Sequence, residues 1–425
     1  MSEKPKNSAG AVSRDAKRPY KMLTIFITVF IDLVGFGIII PLSPYLATQF
    51  QASALEVGLL MSIYSLMQFI FAPVWGKISD RVGRRPVLLL SILGGVLSYI
   101  GFAFAASLPI LFVARALAGI FGANISTAMA YIADITDEKD RSKSMGLVGA
   151  AFGLGFVLGP FLGAEFGSLG ERLGNAPPFG ISFSALLAAL LCLVNFVFAW
   201  FFLEESLSPD SRKVARRAPR FALLKLHLGR PVVGQLMLVF LVSGLSMALM
   251  ESTLFLLVKD EFGWGLRTSG WGFAYIGLMI AFTQGYLIRR WMPRWGEKRI
   301  MLGGLILLFL GFYGIMGADQ VWLLAVVMTL VALGNGLGNP AILGSISLLS
   351  PRQEQGEAMG VTHSLSAMSR ILGPALGGWL YGNLGHRVPF LVAGSITFLA
   401  WLLVVRVYKH LPDAGRESSV QPAEL

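Results

Sequence analysis

The sequence predicts an all-α integral membrane protein with twelve transmembrane helices in two six-helix, pseudo-symmetric halves. Three observations carry this: an apolar composition, basic residues confined to alternate loops, and a repeat at an offset of about half the chain. Of 425 residues, 55% are hydrophobic and only 14% charged, whereas soluble domains carry about 25% charged residues. Composition therefore argues against a water-soluble enzyme. A spanning helix takes about 20 apolar residues, so twelve take roughly 240, close to all that this chain supplies.

Apolar runs between charged loops place spans near 22–48, 56–76, 87–106, 108–134, 143–168, 179–203, 232–258, 268–290, 299–317, 320–349, 357–383 and 388–408. The chain then divides into a tail 1–21, a six-helix half 22–203, a linker 204–231, a second half 232–408 and a tail 409–425. The first run has no small-residue cleavage pattern after it and reads as an uncleaved span. Tyr20, Trp75, Trp200, Trp264, Trp291, Trp295 and Trp322 lie near the expected span ends, as interface anchors do.

The formal charge of +11 is a topology signal. Of the 35 Lys and Arg, 29 lie in the tails and in alternate loops, such as 77–85, 139–143, 212–230 and 289–299. Only Arg172, Lys259, Arg267 and Arg387 lie in the opposite loops, with Arg115 and Arg370 inside spans. By the positive-inside rule both termini are cytoplasmic, in a cell (inner) membrane. The charge calls for no nucleic acid.

The second half repeats the first. Shifted by 214 positions, Leu158-Gly159-Pro160-Phe161-Leu162-Gly163 meets Leu372-Gly373-Pro374-Ala375-Leu376-Gly377, with five of six positions identical. At the same offset Gly58 meets Gly272, Arg85 meets Arg299, Gly122 meets Gly336 and Met145-Gly146 meets Met359-Gly360. A constant offset means two halves of the same orientation, the architecture of secondary transporters with a site between halves near the midplane.

No zinc-protease, nucleophile-elbow or phosphate-loop motif is present, and the single cysteine, Cys192, allows no intrachain disulfide and reads as a small buried hydrophobe. No cofactor or metal is expected, so uphill movement of a substrate needs an ion gradient. Five ionisable residues fall inside spans: Asp32, Arg115, Glu165, Glu251 and Arg370. At full depth they would cost roughly 12–17 kcal/mol, as much as a protein's whole net stability. They must line a wet cavity, pair, or lie nearer an interface.

Asp32 stands about ten residues into the first span, roughly 15 Å deep. The low dielectric there favours a neutral carboxyl, suited to taking up and releasing a proton; the alternative is a static partner for Arg115 or a hydroxyl. Gly35, Gly37, Pro41 and Pro44 loosen the helix beyond it. Arg115 shares a face with Gly119 and Gly122, which a neighbouring helix can approach closely. Asn124, further along the same span, is grouped with it as a cavity residue. Glu251 is either a proton or substrate group or a structural hydrogen-bonding one. Glu165, near an outer helix end, is expected to snorkel to water. Arg370, sharing a face with His363 and Ser366, is either an anion contact or a structural cation; His363 reads as a polar helix-end residue.

At Gly76-Lys77-Ile78-Ser79-Asp80-Arg81-Val82-Gly83-Arg84-Arg85-Pro86 the loop between spans two and three resembles the signature of the major facilitator superfamily. Asp80 is expected to meet a basic group or helix N-terminus of the opposite half, and Arg81, Arg84 and Arg85 to hold the loop at the anionic leaflet. Arg115 four residues before Gly119 resembles the fourth-span motif of drug/proton antiporters. Gly155-x-x-x-Gly159-Pro160-x-x-Gly163-Ala164 resembles their fifth-span motif, with Ala164 where Gly is usual. Gly155, Gly159 and Gly163 share one face, from which close contact between the halves is expected.

Ile31-Asp32 with Gly35, Gly37 and Pro41, the string Ala130 to Asp137, and Leu203-Glu204-Glu205-Ser206 are similar to the tetracycline-efflux-like group, and the likeness runs over residues 22–408. It departs from tetracycline exporters in span three, which offers Ser98 and Tyr99 in place of an acid, and in span nine, which has no acid. The resemblance implies a proton-coupled exporter of amphipathic small molecules, with Asp32 and Glu251 as proton-coupling groups and Asp32, Arg115, Asn124, Glu251 and Arg370 in the substrate cavity. A metabolite symporter or facilitator of the same fold is the alternative. The expected partners are a small-molecule substrate, protons and the bilayer, and the expected state is a monomer.

Overall fold

The computed structural model describes residues 9–136, 138–207, 220–351 and 354–411. The expected tail residues 1–8 and 412–425, linker residues 208–219, Asp137 and Arg352 lie outside the described residues. Regular structure among the described residues is helical throughout.

The first half consists of α1 (Ala9–Gln49), α2 (Ala54–Val82), α3 (Arg84–Ala103), α4 (Leu108–Phe121), α5 (Ile125–Ile135), α6 (Glu138–Leu173) and α7 (Phe183–Phe202). A 3-10 turn at Gly122–Asn124 joins α4 to α5 into one span. A short helix in the linker, α8 (Arg220–Leu228), precedes α9 (Pro231–Phe262), α10 (Leu266–Phe282), α11 (Ile288–Met316), α12 (Val321–Leu349), α13 (Gln355–Leu384) and α14 (Val388–Val407).

Nine helical segments among the described residues are long and apolar enough to cross a membrane. One of them, Leu266–Met316, runs 51 residues, roughly 76 Å at the helical rise and far beyond a bilayer core of about 30 Å. It is broken at Gly296 (φ 72°, ψ 165°), which separates the eighth span from the ninth. The first half breaks at Gly83 (φ 112°, ψ 161°), close to the equivalent place in the repeat. With α6 and α13, whose glycines and charged ends lower their apolarity, the twelve spans are complete.

Local chemistry explains several ends. Ser53 and Glu56 form a capping box at the start of α2, Ser53 N donating to Glu56 Oε2 at 2.7 Å and Glu56 N to Ser53 Oγ at 3.3 Å. Pro109, Pro231 and Pro389 occupy first turns, where a missing N–H costs nothing. Large apolar side chains such as Phe201, Trp322 and Leu97 lie exposed on the outer faces of the bundle, as lipid contact requires.

The halves meet mainly through α2 against α13 and α6 against α10. These contacts crowd at the end away from the basic loops. A Cβ on Gly58 would strike the Pro374 carbonyl, one on Gly378 the Ala54 carbonyl, and one on Gly270 would stand 2.7 Å from the Pro160 oxygen and clash with Ala164. Tyr45 donates to the Trp264 carbonyl at 2.9 Å, Lys259 to Thr48 Oγ1 at 2.7 Å, and Arg267 and Trp271 to Glu165 at 3.0 and 2.8 Å. These hydrogen bonds and ion pairs join the halves at this end. The bundle is closed between its halves at the end away from the basic loops.

Two expectations are corrected. Gly155, Gly159 and Gly163 do not make the contact between halves: they face Leu33, Gly37 and Ile38 of α1, in their own half. A small-residue stripe fixes how close a neighbour comes, not which neighbour it is; the adjacent face of α6, with Phe156, Pro160 and Ala164, meets Gly270 and Gly277 of α10. Glu165 does not simply reach for water, because its carboxylate is held by Arg267 and Trp271 across the interface.

Candidate functional site

Between the halves lies a cavity of about 160 Å³, walled by α1, α2, α4, α5 and α6 on one side and α9 and α13 on the other. Among its lining residues are Phe36, Tyr64, Gln68, Arg115, Glu251 and Arg370.

Arg115 is brought there by α4, whose Gly119 and Gly122 let α2 pass so closely that a Cβ on Gly119 would stand 3.0 Å from the Tyr64 Cα. The guanidinium, 2% exposed, lies 4.7 Å from the Tyr64 ring centre and 5.8 Å from that of Phe36. Those rings stack on each other at 4.8 Å, and Phe156 meets Phe36 edge-on at 6.1 Å. Arg115 Nε and Nη1 are buried without a hydrogen-bond partner. Cation–π attraction of about 1–2 kcal/mol offsets part of the cost of burying this charge, and no carboxylate stands within ion-pair distance among the described residues.

Asp32, half-buried on α1, accepts from Asn124 Nδ2 at 3.5 Å, and is not an ion-pair partner of Arg115. Glu251 of α9 is half-buried and lines the cavity from the other half. Arg370 of α13 is exposed to the cavity and makes no hydrogen bond or ion pair among the described residues. Of the residues expected in the cavity, Arg115, Glu251 and Arg370 line it, while Asp32 and Asn124 do not, Asp32 lying beside the lining residue Leu33 of α1. No cluster of His, Cys, Asp or Glu suited to a metal occurs among the described residues. Cys192 is buried against Gly35 and Gly95, as expected of a small hydrophobe.

The loop signature forms a separate network at the basic end. Arg84 donates to Asp80 Oδ1 at 2.5 Å, to Ser79 Oγ at 2.7 Å and to Asp134 Oδ2 at 3.2 Å. Asp80 forms an ion pair with Arg84 of its own loop. Arg84 is buried, so it is not a leaflet anchor. Arg85 donates to the Trp200 carbonyl at 2.7 Å with its guanidinium over that ring, while Arg81 is exposed. Glu205 accepts from Arg84 N at 2.9 Å and Arg85 N at 3.2 Å, capping α3 with a carboxylate. That carboxylate fills the space a Cβ on Gly83 would need, which with the positive φ explains the glycine.

Sequence reasoning missed Phe36, Tyr64, Gln68 and Phe156. Tyr64 and Gln68 are polar residues at i, i+4 inside an apolar span, and Phe36 follows Asp32 by four positions, so helical spacing carried a signal. Phe156 carried none, being one of 30 phenylalanines.

Comparison with known proteins agrees with this architecture. The family model described as Major Facilitator Superfamily matches residues 25–295 and 285–424. The class B tetracycline resistance protein of Escherichia coli is 33% identical over 370 residues, 85% of this chain and 88% of that protein. The class C protein of Escherichia coli is 33% identical over 391 residues, 91% and 94% of the two chains. A crystal structure of a human organic anion transporter superposes with a TM-score of 0.67 at 25% identity, covering 91% of this chain and 99% of that one. With its twelve spans, its internal repeat and these relatives, the chain belongs to the major facilitator superfamily, in the tetracycline-efflux-like group.

Proposed function

We propose that the chain exports amphipathic small molecules in exchange for protons, by alternating access. One observation carries this reading: a cavity between the halves, closed at one end and lined by the Glu251 carboxylate, with Asp32 on α1 next to its lining residue Leu33. Buried carboxylates in a low dielectric exchange protons more readily than they hold charge. The tetracycline resistance relatives support drugs as the substrate class.

With the basic loops in the cytoplasm, the form described here opens inward, and both termini lie inside a cell (inner) membrane. Substrate enters from the cytoplasm and displaces protons from Asp32 and Glu251. The halves then rock about the midplane, parting α2 from α13 and α6 from α10 at the outer end. Outside, protonation of the two carboxylates releases the substrate and favours return. The Asp80–Arg84–Asp134 network fixes the α2–α3 turn and acts on the rate of switching rather than on substrate. The protein acts as a monomer, since one chain supplies both halves of the cavity.

The test uses energised inverted vesicles containing the protein. Adding substrates from a panel of drugs, tetracycline included, dissipates a preformed pH gradient if export is proton-coupled. Movement of the same compounds without any effect on the gradient would point to a facilitator.

A further inference from the structure

Arg115 is the feature of the cavity that proton exchange leaves unexplained. Its guanidinium is buried at mid-protein, two of its nitrogens have no partner, and among the described residues it lies against the faces of Tyr64 and Phe36. A cation so placed costs several kcal/mol when unpaired, yet Asp32 takes its hydrogen bond from Asn124 instead. Arg370, on the opposite wall, is likewise without an ion-pair partner. Glu251 shares the cavity wall with Arg370, but no carboxylate among the described residues stands within ion-pair distance of Arg115, which leaves that cation for a ligand.

We infer that Arg115 seats an acidic group of the substrate, whose flat rings lie beside Phe36, Tyr64 and Phe156. A planar guanidinium is suited to bidentate contact with a carboxylate or sulfonate. The stacked Phe36–Tyr64 pair and the edge-on Phe156 provide an aromatic wall beside it. An acid bound there does not by itself displace protons from Asp32 and Glu251. The other end of the substrate must therefore offer a cation or donor to those carboxylates, so the fit is to a flat zwitterion. This last step rests on the proton-exchange reading above; the acid seat on Arg115 does not.

Three related probes separate the two. 6-(Aminomethyl)-2-naphthoic acid is the zwitterion, its methyl ester the cation, and its N-acetyl derivative the anion. Binding to purified wild-type protein at pH 7 is expected to be at least tenfold tighter for the zwitterion than for the ester. Arg115→Gln should lose that preference and weaken the N-acetyl acid at least tenfold, leaving the ester within about twofold, while Arg115→Lys recovers part of the effect. Because the guanidinium lacks partners, ligand-free Arg115→Gln should melt no lower than wild type, which a structural cation would not allow. The inference is overturned if the acid shows no preference over its ester in wild type, absence of binding included, or if Arg115→Gln weakens all three probes equally. A pH gradient that fails to drive transport, with the acid preference intact, would remove proton exchange and leave the seat on Arg115 standing.

Discussion

Gly159 of α6 lies against Gly37 of α1, so close that a Cβ on Gly159 would stand 2.5 Å from the Gly37 Cα. Both helices belong to the same half, and the contact is backbone on backbone. Gly159→Leu is therefore expected to lower the melting temperature of the protein in detergent, since overpacking of this kind typically costs about 1–3 kcal/mol. It should leave the balance between inward- and outward-open forms unchanged. Labelling of single cysteines at the two ends of the cavity, in a Cys192→Ser background, checks this; a large shift toward outer labelling would contradict it.

The gate lies elsewhere. Gly270 packs on Pro160 and Ala164 across the halves, and Gly58 on Pro374, so Gly270→Leu and Gly58→Leu should destabilise only the form closed at this end. The same cysteine labelling should then rise at the outer end and fall at the inner one. Equal labelling in mutant and wild type would show that these contacts do not hold the closed state.

Arg84 binds Asp80 and Asp134 at once. Asp134→Asn leaves the guanidinium one carboxylate short, far from the cavity. Ligand affinity in detergent should persist while the transport rate at saturation falls. Loss of affinity at a normal saturated rate would contradict a role in switching.

His227 on α8 is fully buried, and burial, aided by Arg230 and opposed by Glu354 and Glu357, pushes its pKa below the ordinary value of 6.5. A depressed histidine favours the docked helix when neutral, so this stability is present above about pH 6.5 and is lost as pH falls towards the lower folded value. Hydrogen-exchange protection over residues 220–228, taken relative to the intrinsic rate at each pH, should fall on acidification in wild type and lose that dependence in His227→Gln. Protection independent of pH in both would contradict the account.

The sequence made the fold legible because a membrane leaves few options: apolar runs, alternate basic loops and the 214-residue offset each constrain the same twelve spans. Pairings between helices were less legible. The stripe at Gly155, Gly159 and Gly163 announced a close neighbour, but α1 and α10 are both available to α6, and glycines do not distinguish them. Asp32, Arg115, Glu251 and Arg370 stood out because charge is costly in a bilayer. Tyr64 and Phe156 did not, because an aromatic ring costs nothing there and faces lipid as readily as a cavity. Glu205 was visible only as part of a string, its capping of α3 depending on a tertiary approach of the end of α7 to Gly83.

The central claim, that a carboxylate between the halves exchanges protons for substrate, is tested most directly on Asp32. Inverted vesicles carrying wild type or Asp32→Asn are given a pH gradient, and uptake of tetracycline and a panel of flat amphiphiles is followed alongside the gradient itself. Wild type should accumulate at least one compound and dissipate the gradient as it does so, while Asp32→Asn, present in the membrane at the same level, should do neither. Gradient-driven accumulation that survives in Asp32→Asn would contradict the account.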